Sequence, residues 1–99
     1  MYKILIVEDD EIIAGAIQKE IRSWGYDARQ AEDFEHVLQE FASYDPQLVL
    51  LDIGLPFYNG FYWCGEIRKV SRVPVSYTHL DVYKRQPEKS ANPKSTVSI

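Results

Sequence analysis

Cysteine is nearly absent from this 99-residue chain. Cys64 stands alone, which excludes a disulfide framework and a cysteine-only zinc site. The longest apolar runs are four or five residues, and a bilayer span needs ~20, so no membrane contact is expected. Basic residues are also in short supply. Eleven Lys and Arg face fifteen Asp and Glu, a formal charge of −4, so this segment has no electrostatic footprint for direct nucleic-acid binding. Met1-Tyr2-Lys3 leads straight into Ile4-Leu5-Ile6-Val7 and then acids, with no secretory signal, and the expected compartment is the cytoplasm. What is present is a 45% apolar content, which suits one globular domain.

The chain changes character near residue 75. Four basic residues and two acids leave residues 76–99 at +2, against −6 for residues 1–75. Seven of the 24 tail residues are apolar, compared with 38 of the first 75, so a core can be built only from the first part. Pro87 to Thr96 is polar and punctuated by proline, the composition of a disordered segment. The expected organisation is a domain over 1–75 and an unstructured tail over 76–99.

Within residues 1–75 the pattern alternates. Tyr2–Val7 and Leu48–Leu51 are continuous apolar runs, as in strands buried on both faces of a parallel sheet. Asp10 is placed to cap a helix whose face is Ile13, Ile17, Ile21 and Trp24, with Gly25 as its C-terminal cap. Tyr26–Ala31 reads as a weaker strand nearer an edge. Asp33 is placed to open a second helix carrying Phe34, Val37, Leu38 and Phe41, which Asp45-Pro46 ends. Phe61, Cys64 and Ile67 form a third helical stripe, and Val73-Pro74-Val75 starts another strand. The order β-α-β-α-β-α-β predicts a doubly wound parallel sheet.

Ligands of open parallel sheets sit at the carboxyl ends of the strands. Two buried strands here run into acids there: Val7 into Glu8-Asp9, and Leu51 into Asp52. Asp10 and Glu11 are explained by capping. Glu8 and Asp9 alone would be too. Asp52 is not, because no helical pattern follows it and a turn with Pro56 does. If the two strands are neighbours, three carboxylates converge, and a cation is needed to neutralise them. An all-oxygen set with few protein ligands suits Mg²⁺. A carboxylate beside such a metal can act as a nucleophile toward phosphorus.

The motifs Ile4-Leu5-Ile6-Val7-Glu8-Asp9-Asp10, Leu48-Val49-Leu50-Leu51-Asp52-Ile53-Gly54-Leu55-Pro56 and Asn59-Gly60-Phe61 closely resemble the receiver domain of bacterial two-component response regulators. The resemblance implies an incomplete flavodoxin-like sheet of strand order 2-1-3-4. It implies Asp52 as phosphoacceptor and a Mg²⁺ site made by Glu8, Asp9, Asp52 and the Gly54 carbonyl, with Pro56 and Gly60 shaping the loop. The implied partner is a sensor histidine kinase. Ile67-Arg68-Lys69 and Val73-Pro74-Val75 resemble regulators with a winged-helix DNA-binding domain. DNA is therefore reached only through a domain absent from this chain, with homodimerisation in an intact relative. Only self-directed phosphoryl transfer, not turnover, is expected.

The departures from the family are at the end. The Ser or Thr that should meet the phosphoryl group falls at position 79, which is His79, and one residue of slip at Thr78 is expected to turn that side chain away. No lysine is assigned the family's phosphate-pairing role. Ser76 to Gln86 does not resemble a receiver continuation and is similar to translated adapter or vector sequence, a spurious tail. The fourth and fifth helices and the fifth strand are expected to be missing, and the chain is expected to be marginally stable and a non-functional fragment as it stands. Two other readings differ in chemistry. An aspartyl-nucleophile phosphatase would place a second acid two residues past Asp52, where Gly54 stands. A non-phosphorylated α/β binding module would use the acids only as caps. Cys64, Phe61 and Trp63 are expected in the core, His36 in solvent, and Phe57 and Tyr58 exposed on a loop.

Overall fold

A computed structural model describes residues 2–78. In chain order the elements are β1 (Lys3–Val7), α1 (Glu11–Ser23), β2 (Asp27–Gln30), α2 (Val37–Tyr44), β3 (Leu48–Asp52), α3 (Gly60–Arg68) and β4 (Val75–Thr78). The strands form one parallel sheet in the order β2-β1-β3-β4. The two apolar runs are its central pair. Residues Ile4 to Val7 and Val49 to Leu51 are all buried, as strands covered on both faces must be.

Alternation along the strands divides the core in two. Leu5, Val7, Val49 and Leu51 meet Val37, Phe41, Trp63 and Ile67 of α2 and α3. Ile4, Ile6, Ala28 and Leu50 meet Ala14 and Ile21 of α1. The helices start and stop where local chemistry directs. Asp10 Oδ1 accepts the N–H groups of Ile12 and Ile13 at 3.0 and 3.1 Å, a working N-cap. Gly25 takes φ +93° just past α1, where a side chain would be strained.

Four sequence expectations are corrected. First, α2 begins at Val37, not at Asp33. The Asp33 carboxylate instead accepts the Glu35 N–H at 3.1 Å and pairs with His36 Nδ1 at 2.8 Å, which turns the chain before the helix starts. Second, the buried stripe of α3 is Gly60, Trp63 and Ile67. Phe61 is 56% exposed and leans on the Tyr77 ring at 5.0 Å, while Cys64 is partly buried against the core as expected. Third, Trp24 is 62% exposed and leaves the α1 core face to Ala14 and Ile21, with Ile17 partly buried beside them. Fourth, β4 runs three residues past the boundary expected at 75. Ser76, Tyr77 and Thr78 alternate in register with Leu50, Leu51 and Asp52 and continue the ladder. The rest of the expected tail lies outside the described residues, as does His79.

Candidate metal and phosphoacceptor site

The acids meet at the carboxyl end of the central strands. Val7 pairs with Leu51, so the next residues, Glu8 and Asp52, emerge side by side. Each of Glu8, Asp9 and Asp52 offers a carboxylate oxygen, and these lie within 4.8 Å of one another. Glu8 and Asp52 are buried, and Asp9 is more open to solvent. The backbone orients two of them. Asp10 N–H donates to Glu8 Oε2 at 3.0 Å, and Gly54 N–H donates to Asp52 Oδ1 at 3.3 Å. Beside them a cleft of about 560 Å³ opens, lined by Glu8, Asp9, Glu11, Gln30, Ala31, Glu32 and Phe34.

Three carboxylates this close repel unless a cation sits among them. The donor set is entirely oxygen and anionic, which fits a hard divalent ion that keeps part of its water shell. Capping does not account for the arrangement. Asp10 caps α1 on its own, and Asp52 precedes a loop rather than a helix.

Gly60 fixes the far side of the loop. A Cβ there would stand 2.6 Å from the Asp52 carbonyl oxygen and 3.0 Å from Ile53 Cα. Only glycine lets α3 begin against the backbone of Asp52, and Gly60 N–H donates to Ile53 O at 3.0 Å. Between them Phe57 takes φ +66°, and Tyr58 N–H closes on Pro56 O at 2.7 Å. Phe57 and Tyr58 are exposed, as the sequence led us to expect.

Thr78 is the residue the sequence reading set aside. It lies directly opposite Asp52 in the β3–β4 ladder, so its side chain shares the Asp52 face of the sheet. It is 2% exposed, and its hydroxyl has no hydrogen-bond partner among the described residues. The sequence expectation that one residue of slip turns Thr78 away does not hold. The ladder sets the facing instead: Val49 N–H donates to Pro74 O at 3.0 Å and Val49 pairs with Val75. The signal was present in the alternation Val75, Tyr77 against Ser76, Thr78.

The acidic triad lies at the carboxyl mouth of a parallel α/β sheet, where such sheets bind their ligands. The profile of the response regulator receiver domain matches residues 4–81. The chain belongs to the response regulator receiver domain family. It is 48% identical over 77 residues to the uncharacterized transcriptional regulatory protein YvcP of Bacillus subtilis (strain 168), covering 78% of this chain and 32% of YvcP. The chain thus spans about a third of the length of that curated relative. Among solved structures it is similar to the response regulator TrrA of Thermotoga maritima in complex with Mg²⁺-BeF. That likeness has a TM-score of 0.74 and 32% identity, over 86% of this chain and 76% of TrrA. TrrA in complex with the histidine kinase ThkA gives a TM-score of 0.72 and 34% identity, over 79% of this chain and 68% of TrrA. Among the described residues, no helix is long and apolar enough to cross a membrane.

Proposed function

We propose that Asp52 is the phosphoacceptor of this receiver domain and that Glu8, Asp9, Asp52 and the Gly54 carbonyl hold Mg²⁺ beside it. The observation that carries this reading is the convergence of three carboxylates within 4.8 Å at the sheet mouth. When held there, Mg²⁺ would neutralise carboxylate and phosphoryl oxygens and let one anion approach another. An Asp52 carboxylate oxygen attacks phosphorus, the bond from phosphorus to the donor's histidine nitrogen breaks, and an acyl phosphate forms. The Gly54 N–H holds Asp52 Oδ1 in place. The Thr78 hydroxyl donates to a phosphoryl oxygen, taking the place that the family gives to the position of His79.

The donor is a sensor histidine kinase, in keeping with the kinase-bound TrrA likeness. The domain receives one phosphoryl group and does not turn over a substrate. Its output is transcriptional, through a winged-helix DNA-binding domain outside this chain, with phosphorylation favouring a homodimer of the intact regulator in the cytoplasm. We assign residues 1–75 to the receiver and infer a foreign origin for residues 76–99, the first three of which complete β4. Thr78 then fills its place by register alone.

Incubation with acetyl phosphate and Mg²⁺, followed by intact mass spectrometry, tests the reading. One phosphoryl adduct is expected in the wild type and none in Asp52→Asn. An adduct that persists in Asp52→Asn, or forms equally well without divalent metal, contradicts it.

A further inference from the structure

β2 is an edge strand. Asp27 N–H donates to Tyr2 O at 2.9 Å and Ala31 N–H to Ile6 O at 2.8 Å, so the odd-numbered residues turn their backbone groups toward β1. Ala28 and Gln30 turn theirs outward. Such a row is a template for another strand. Here α1 lays two side chains across it. Gln18 Nε2 and Arg22 Nη2 both donate to the Ala28 carbonyl, at 2.9 and 3.0 Å. Gln30 Nε2 donates to Gln18 Oε1 at 2.7 Å, tying the outer row together.

The same segment is complementary to itself. Two β2 strands laid antiparallel about a two-fold axis through Ala28 would exchange N–H···O bonds between the two Ala28 residues. That pairing sets Asp27 of each copy opposite Arg29 of the other, an attractive cross-strand pair made twice. Both charges are held at the edge by one residue. The Tyr44 hydroxyl donates to Asp27, and the Arg29 guanidinium stacks on the Tyr44 ring at 4.5 Å.

We propose that the outer edge of β2 is a latent homodimer interface, strand to strand between two copies of this chain, kept closed by Gln18 and Arg22. The monomer is the resting form because opening the edge gives up two hydrogen bonds to one carbonyl. The joint uses no residue of the acidic site.

Sedimentation velocity on the full chain tests this, with hydrogen exchange read at the Ala28 and Gln30 amides. Gln18→Met with Arg22→Met keeps the aliphatic stems and removes the donors. That variant is expected to dimerise at least about tenfold more tightly than wild type, and both amides are expected to gain protection as it does. Adding Arg29→Glu, which sets like charges opposite, should return it to monomer. A folded double variant that stays monomeric, or a dimer indifferent to Arg29→Glu, overturns the proposal. Should the double variant not fold, Gln18→Met alone decides. Protection at Ala28 and Gln30 that grows with concentration supports the edge, and its absence overturns it.

Discussion

Three converging carboxylates should leave the metal-free chain less stable than its Asp52→Asn variant. With oxygens within 4.8 Å, two unit charges repel by roughly 3 kcal/mol at an effective dielectric near 20. Asp9 faces solvent, which screens its share. The Glu8–Asp52 pair is buried and carries most of the cost. The amide of Asn still accepts from Gly54 N–H, so the backbone contact survives. The metal-free variant should therefore be more stable than wild type by about 2 to 3 kcal/mol, on the order of 10 °C in Tm for a domain of this size. Mg²⁺ should reverse the ranking. At a hundred times its Kd the ion adds ~2.7 kcal/mol to the wild type, and Asp52→Asn should gain little. Thermal or urea unfolding followed by circular dichroism, at fixed ionic strength with Na⁺ as control, reads both effects. Equal stability without metal, together with an equal response to Mg²⁺, would refute the reasoning.

Three further outcomes follow from the geometry. Gly60→Ala drives a methyl into the Asp52 carbonyl and should cost about 1–3 kcal/mol in urea unfolding, with phosphodonor labelling reduced because the Asp52 backbone must shift. Asp10→Ala removes the α1 cap and should cost ~1 kcal/mol by the same assay while leaving the labelling site in place. His36 hydrogen-bonds Asp33, which raises its pKa above the usual 6.5 and lowers that of Asp33 below 3.8. What the pair contributes is lost as pH rises through the folded-state pKa of His36 and as it falls through that of Asp33. An NMR titration should show His36 falling back toward its ordinary value in Asp33→Asn.

The order of the strands and the acid constellation were legible because both rest on simple patterns. Unbroken apolar runs mark central strands, and acids directly after them mark the mouth. Gly25, Asp10 and Asp45-Pro46 act through backbone geometry that their residue types dictate. The errors came where side chains compete or where facing depends on a partner strand. Asp33 looked like a helix cap, yet its carboxylate serves the turn before α2. Phe61 and Trp63 sit two residues apart on α3, and only docking against the sheet decides that Trp63 is buried. The facing of Thr78 is set by its pairing with Asp52, which a one-residue count along the strand does not show.

One shared cation would tie Glu8, Asp9 and Asp52 together. Mn²⁺, a paramagnetic stand-in for Mg²⁺, added in small amounts to ¹⁵N-labelled protein, locates it directly. The amide signals of Asp9, Asp52 and Gly54 should broaden first and recover when excess Mg²⁺ is added. Broadening centred on Glu32 and Glu35, or spread evenly over the acidic surface, would contradict the assignment.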